Sequence, residues 1–164
     1  MGNAGYPEDQ LVANRTAVLL FGGTEADRRA WAGEAAAGFA AEGPLLEVES
    51  VAALPSALQR SRGVVFVPDL GGLGLEAQAK IVRCLIESEE RPKLVLALQY
   101  GPDHARGKGL LREDLAYRLE KAQVDLSDPA LKEAIRGRRL KAEKRKAAVP
   151  PKPGAAGIRK PNKG

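Results

Sequence analysis

Cysteine and aromatic residues are scarce in this sequence. Cys84 is the single cysteine among 164 residues, which excludes an internal disulfide and any zinc or iron–sulfur site built from several thiolates. Aromatic residues make up only 4% of the chain, so the core must consist mainly of Leu, Val, Ile and Ala. A binder of single-stranded nucleic acid that stacks bases on aromatic rings is therefore not expected.

Long apolar segments are also missing. The longest apolar runs, 64–67 and 94–98, have the length of strands and fall far below the ~20 residues of a membrane-spanning helix. The N-terminal residues lack the basic and then apolar pattern of a signal sequence. We therefore expect a cytoplasmic protein without a membrane partner.

The charges are divided unevenly along the chain. Residues 136–164 hold 11 of the 26 Lys and Arg side chains and one acidic residue, Glu143, so their net charge is +10, whereas the net charge of 1–135 is −5. From Val149 onward the chain is rich in Pro and Gly, a composition typical of disorder. We therefore predict a flexible N-terminus over 1–14, one folded domain over 15–135 and a basic, Pro/Gly-rich tail over 136–164 that is disordered from Val149 onward. The alternative for its first part is a helix that continues to about Ala147, because Leu131, Ile135 and Leu140 keep one apolar side.

Between the two ends, β-branched or Leu-rich runs alternate with helical segments. Thr24, with Asp27 three residues later, predicts a helix start with a capping box, and 75–90 place apolar residues along one helix face. Strands buried on both faces and joined by helices are typical of a parallel sheet, because a parallel neighbour needs a crossover connection. We therefore predict a three-layer α/β fold with five parallel strands, over 16–21, 45–48, 64–67, 94–98 and 123–126.

Two motif blocks resemble a known family. Residues 65–85, VFVPDLGGLGLEAQAKIVRCL, are similar to the Walker B strand and following helix of the AAA+ domain of sigma-54-dependent transcription activators, and 111–119, LREDLAYRL, resemble that family's FREDLYYRL block. Upstream, 18–29 align with its Walker A strand and loop. The resemblance covers about 16–135 and implies a degenerate, truncated AAA+ core of P-loop NTPase type.

The Walker A segment departs from the family at the positions that bind nucleotide. A P-loop needs glycines so that backbone N–H groups can surround the phosphates, then a Lys and a Ser or Thr hydroxyl. Here Glu25 and Asp27 replace two glycines, and Arg29 replaces the hydroxyl. We therefore expect neither ATP nor Mg²⁺ as a cofactor and no other metal. The residues aligned with the loop's binding positions are Gly22, Gly23, Thr24 and Arg28.

The Walker B and sensor positions also differ. The family's Asp-Glu pair aligns with Pro68-Asp69, so the metal-binding carboxylate is missing, and the sensor I Asn aligns with Gln99. Residues 49–63 are too few for the substrate loop that contacts sigma-54 in the family. For Asp69 the alternative is a structural one: a carboxylate after a strand often caps the following turn.

Arg112 and Arg118 match positions that act in trans in the family, at the γ-phosphate of a neighbouring subunit. The alternative is that Arg112 pairs with a nearby carboxylate such as Asp114 or Glu113, and that Arg118 lies on a solvated helix face. In that case neither residue has a role in nucleotide chemistry.

The basic tail offers a third kind of contact, because a flexible segment that neutralises several phosphates binds nucleic acid without sequence specificity. The alternative is a merely solubilising end. The candidate contact residues are Arg136, Arg138, Arg139, Lys141, Lys144, Arg145 and Lys146.

Three functional hypotheses follow. The first is a non-catalytic regulatory or interaction protein, related to sigma-54 activator ATPase domains and acting in transcription regulation through protein or nucleic-acid contacts. The second is an ATP-binding AAA+ subunit that associates with full-length activators and modulates their ATPase. The third is a nucleic-acid-binding module that depends on the tail. The sequence leaves the oligomeric state open.

Overall fold

The computed structural model describes residues 5–148, which divide into two compact units, one ending at Asp128 and the other beginning at Pro129. The first unit contains a five-stranded sheet in the order β2-β3-β4-β1-β5, and every neighbouring pair is parallel. The strands are β1 (Val18–Phe21), β2 (Leu46–Glu47), β3 (Val64–Val67), β4 (Lys93–Ala97) and β5 (Gln123–Asp125).

The central strands of the sheet are buried on both faces, as is typical of a parallel sheet. All residues of β3 and β4 are buried, and Val18 of β1 lies opposite Val95 of β4 while Leu20 lies opposite Val124 of β5. Strands of this kind need helices on both sides to exclude water. The predicted five-stranded parallel α/β fold is therefore confirmed.

Helices connect these strands and cover them. In the first unit they are α1 (Glu8–Ala13), α2 (Glu25–Gly38), α3 (Leu54–Leu58), α4 (Leu70–Leu73), α5 (Leu75–Glu87), α6 (Pro102–Gly107) and α7 (Glu113–Arg118), with short 3-10 turns at Ala40–Glu42 and Val51–Ala53. None of the helices within 5–148 is long and apolar enough to span a membrane.

The N-terminus differs from the loose segment predicted over 1–14. Residues 1–4 lie outside the described residues, but Glu8–Ala13 form α1, whose Leu11 is fully buried. The Trp31 indole N–H donates to the Glu8 carboxylate at 2.6 Å, and the Lys93 ammonium donates to the Leu11 carbonyl at 2.6 Å. Tertiary contacts thus order a helix that its own sequence does not predict.

The first part of the basic segment is helical, which is the alternative that the apolar side of Leu131, Ile135 and Leu140 left open. The second unit contains α8 (Pro129–Ala148), while 149–164 lie outside the described residues. Proline at the first helical position and a composition of Ala, Lys, Arg, Glu and Leu favour this helix. An ion pair of 2.7 Å between Arg136 and Glu133 lies along it.

Candidate functional site

The loop from β1 to α2 turns at two glycines in the left-handed region, with φ of +77° at Gly22 and +66° at Gly23. A side chain at Gly22 would collide with the Asp125 carboxylate at the end of β5. Only glycine therefore fits both the backbone conformation and the available space. This is the loop that aligns with the Walker A motif.

The first turn of α2 is closed by its own side chains. The Thr24 N–H donates to Asp27 Oδ2 at 2.9 Å, and the Asp27 N–H donates to Thr24 Oγ1 at 3.0 Å. The predicted capping box is therefore confirmed. Two amides near the positive end of the helix dipole, where a phosphate would bind in a P-loop, already have oxygen partners, one of them a carboxylate.

Arg28 turns back onto the loop that precedes its helix. Its Nη1 donates to the carbonyls of Gly22 and Gly23 at 3.1 and 3.2 Å. The residue is 7% exposed, and its Nε atom is buried without a hydrogen-bond partner. Among residues 5–148, no carboxylate forms an ion pair with this guanidinium. Arg28 is therefore a buried cation only partly satisfied by two carbonyls.

A cavity of about 260 Å³ lies against this guanidinium. The structure brings Arg28, Asp69 and Gln99 together in its lining, so the Walker A-like, Walker B-like and sensor-like positions converge as the resemblance implies. Glu25, Arg29, Glu49 and Pro68 complete the lining.

Carboxylates beside Arg29 form one wall of the cavity. Arg29 donates to Glu47 at 2.5 Å and to Glu25 at 3.2 Å. The Arg29 hydrogen bond lowers the pKa of Glu47, whereas the hydrogen bond with Glu47 raises the pKa of Glu49. The sequence analysis singled out Glu25 and Arg29, but Glu47 and Glu49 were missed because no role was assigned to the residues at the end of β2 and just after it.

Asp69 has the structural role given as the alternative. Its Oδ1 accepts the Gly72 N–H at 3.1 Å, so the side chain is the N-cap of the short helix α4. The Asp69 carboxylate therefore stabilises the start of α4. No cluster of His, Cys, Asp or Glu within 5–148 is arranged to hold a metal ion.

The two arginines that match trans-acting positions lie outside this cavity. Arg112 makes a two-pronged ion pair with Asp114, with both N–O distances 2.9 Å, and this pair lowers the pKa of Asp114. It is the contact that the local alternative describes. Arg118 instead lines a separate groove of about 710 Å³. Tyr117 and Tyr6, respectively 78% and 53% exposed, also line this groove.

Gln78 and Lys93 are two buried polar residues that sequence reasoning missed. The Gln78 amide donates to the carbonyls of Leu70 and Leu110 at 3.3 and 2.8 Å and accepts the Arg112 N–H at 2.9 Å. It therefore ties α5 to α4 and to the segment that precedes α7. For Gln78 the sequence contained a signal, because this residue lies in the motif block over 65–85. For Lys93 the only signal was its position directly before the apolar run over 94–98.

The predicted basic contact residues all lie on α8. Arg136 and Lys141 are exposed, and Arg138 and Arg139 are half-buried and have partners of their own. Lys144 and Arg145 are exposed, while the side chain of Lys146 lies outside the described part of the structure.

Comparisons with known proteins bear on the fold. No protein-family model and no curated protein matches the chain. Among solved structures, the P-loop NTPase domain of the Sigma-54 transport activator from E. coli is similar, with a TM-score of 0.56 and 17% identity over 71% of this chain and 87% of that one.

NtrX from Brucella abortus is also similar. Its complex with ATP matches with a TM-score of 0.55 and 17% identity over 71% of this chain, and its complex with ADP with a TM-score of 0.53 and 19% identity over 76%. The chain spans 34% and 38% of these two NtrX chains. The predicted α/β fold of the P-loop NTPase type is therefore confirmed.

Proposed function

We propose that this protein is a non-catalytic regulatory or interaction protein that uses the α/β fold of sigma-54 activator NTPase domains without binding nucleotide. The observation that carries the proposal is the closed N-terminus of α2, where the Asp27 carboxylate accepts the Thr24 N–H at 2.9 Å. Transcription regulation is the setting that the similarity to sigma-54 activators suggests.

The residues around the loop do not fit a nucleotide and its magnesium ion. A phosphate at the start of α2 would have to displace the Asp27 carboxylate, and it would meet Glu25 on the same turn. Two unit charges of like sign at 4 Å repel by about 1 kcal/mol in water and about 4 kcal/mol near a protein surface. Pro68 offers no carboxylate to a metal, and Asp69 is engaged as a helix cap.

The nearest cation does not compensate for this repulsion. Arg28 directs Nη1 at the carbonyls of Gly22 and Gly23 rather than extending as the P-loop Lys does toward the phosphates. Nucleotide-driven steps are therefore not part of the proposed function, and the protein acts through its contacts.

The groove that contains Arg118 supports a role in protein contact. Two exposed tyrosines lie there beside three cations, and tyrosine and arginine are enriched in protein interfaces. An acidic segment of a protein partner complements this charge, and the resemblance suggests AAA+ activators as partners. The charged groove residues are Arg91, Arg118, Lys121 and Glu120.

A thermal melt tests the absence of nucleotide binding. A ligand that binds only the native state raises stability by RT ln(1 + [L]/Kd), about 2.7 kcal/mol at 100 Kd. We expect the same melting temperature with and without 1 mM Mg-ATP or Mg-ADP. For a nucleotide that bound with a Kd of 10 μM, this concentration would be about 100 times the Kd. A nucleotide-dependent rise of several degrees would overturn the proposal.

A second candidate function rests on the exposure of Arg118. This residue forms no ion pair among the described residues, so it is available to complete the site of an activator subunit. On this hypothesis the protein changes the ATPase turnover of a sigma-54 activator, and Arg118→Ala abolishes the change. Arg112→Ala is the matched control, because Arg112 is already paired with Asp114. Unchanged turnover on mixing would exclude this function.

A third candidate, non-specific binding of nucleic acid, rests on the exposed cations of α8. The full-length chain should bind a short DNA duplex at 50 mM salt and lose most of its affinity at 200 mM salt. Replacing Lys141, Lys144 and Arg145 by Gln should reduce both the affinity and its salt dependence. Affinity that is unchanged in this variant would rule α8 out as the contact.

A further inference from the structure

The groove beside Arg118 carries positive charge that its own chain does not neutralise. It has a volume of about 710 Å³ and lies near the amino ends of β1, β4 and β5, at the edge of the sheet opposite the cavity beside Arg28. One carboxylate, Glu120, lines it together with three cations. Within 5–148 none of these cations forms an ion pair; they are Arg91, Arg118 and Lys121.

An acidic loop borders this groove. It comprises residues 86–90, with the sequence IESEE, and connects Leu85 to Arg91, both of which line the groove. Its three carboxylates are exposed, and none of them forms an ion pair in the described part of the chain; they are Glu87, Glu89 and Glu90. We call the groove and the acidic loop together the charged face, which thus presents carboxylates and cations side by side.

The charged face also exposes apolar and aromatic surface. Tyr117, Ile86 and Tyr6 are 78%, 57% and 53% exposed, and they are three of the seven large hydrophobic side chains that are exposed within 5–148. Single exposed side chains of this kind are ordinary, whereas several on one charged face are typical of an interaction surface. Tyrosine and arginine in particular are enriched in protein interfaces.

A face that carries charges of both signs is complementary to itself. In a two-fold symmetric dimer the same surface patch of both chains meets, so the acidic loop of each chain can contact the groove of the other. Because the loop and the groove adjoin, each contact forms twice and the assembly closes at two chains. An acidic segment of another protein fits less well, since it would also meet the like charges of Glu87, Glu89 and Glu90.

We propose that the charged face joins two copies of this chain in a two-fold dimer, with the acidic loop 86–90 of each copy in the groove beside Arg118 of the other. The inference rests on the proposed function as an interaction protein and names the partner of the groove, a second copy whose acidic loop is the acidic segment. Attraction between exposed charges is screened by salt, so the dimer must weaken as the ionic strength rises.

Analytical ultracentrifugation of the full-length chain measures the association. The chain is sedimented over concentrations of about 5 to 500 μM, at about 50 mM and about 300 mM NaCl. We expect a monomer–dimer equilibrium whose dissociation constant rises at least about threefold at the higher salt concentration. A chain that stays monomeric over the whole range, or that assembles beyond two copies, overturns the two-fold dimer.

Charge reversal locates the contact. The groove variant carries Arg118→Glu and Lys121→Glu, and the loop variant carries Glu89→Lys and Glu90→Lys. Each variant alone should dimerise at least about tenfold more weakly than the wild type, because every reversed contact occurs twice in the dimer.

An equimolar mixture of the two variants is the decisive sample. In the mixed dimer the reversed groove meets the reversed loop, and the unchanged groove meets the unchanged loop, so both contacts are attractive again. We expect the mixture to dimerise like the wild type, which also shows that both variants fold. The matched control, Glu76→Lys with Lys80→Glu, reverses two exposed charges of α5 outside the charged face and should leave the dimer unchanged.

The outcomes separate this inference from the proposed function. A mixture that stays monomeric, or a control that weakens the dimer as much as the two variants do, overturns the contact between loop and groove. A chain that is monomeric alone but sediments one-to-one with a sigma-54 activator domain would assign the groove to that partner and overturn the second copy. Stabilisation by Mg-ATP in the thermal melt would overturn the proposed absence of nucleotide binding and leave the dimer standing.

Discussion

The burial of Lys93 makes the free energy of unfolding of this protein rise with pH above neutrality. It begins β4, is fully buried, and donates to the carbonyls of Leu11 and Thr16 at 2.6 and 2.7 Å. Burial, and to a lesser extent the positive charge of Arg15, lowers the pKa of Lys93 from 10.5 to about 7. The unfolded chain therefore binds this proton more tightly than the native state does.

The sign and size of the effect follow from that difference. Between pH 7 and about 10.5 the unfolded state holds more protons, so the free energy of unfolding rises with pH, by at most about 1.4 kcal/mol per pH unit. From pH 7 to pH 9 the total gain is about 2 kcal/mol. This is a large share of the 5–15 kcal/mol that typically separates native and unfolded states.

Urea denaturation at pH 7 and pH 9 measures this gain. Trp31, the single tryptophan, is buried and bonded to Glu8 of α1, so its fluorescence reports unfolding of the region that Lys93 holds. The gain should vanish in Lys93→Met and persist in Lys80→Met, which changes an exposed lysine on α5. Equal pH dependence in wild type and Lys93→Met would refute the assignment to Lys93.

Three further substitutions test individual contacts of the first unit. Gln78→Leu removes three buried hydrogen bonds and should lower the free energy of unfolding by about 3 kcal/mol, measured by urea denaturation; a loss below about 1 kcal/mol would contradict the role of this amide. Thr24→Ala breaks one side of the capping box and should cost about 1 kcal/mol in the same assay, whereas no loss would mean that the cap is not formed in solution. Arg112→Ala breaks an exposed ion pair and should leave the melting temperature nearly unchanged, and a drop of many degrees would show a contact beyond Asp114.

Much of the fold could be predicted because its signals are local. The apolar run over 64–67 has the same bounds as β3. A strand that is buried on both faces consists of consecutive apolar residues, so its ends can be located in the sequence. The start of α2 followed from the spacing of Thr24 and Asp27 alone. The helix α1 was missed because six residues have little helical stability of their own, and its order depends on contacts with distant residues.

The candidate site was predictable only in part, for a similar reason. Alignment with a P-loop placed Arg28, Asp69 and Gln99 near one another, and the structure brings them to one cavity. The return of Arg28 onto the carbonyls of Gly22 and Gly23 has no local signal, because a side chain at this position could equally extend toward a phosphate. The pairing of Arg112 with Asp114 was foreseeable, since the two are separated by one residue.

Isothermal titration of the full-length chain with Mg-ATP tests the central claim, that the closed start of α2 does not bind nucleotide. NtrX from Brucella abortus, solved in complex with ATP, serves as the positive control. We expect no saturable heat at micromolar concentrations, because the Thr24 N–H already donates to the Asp27 carboxylate. A saturable one-to-one isotherm in this range would contradict it.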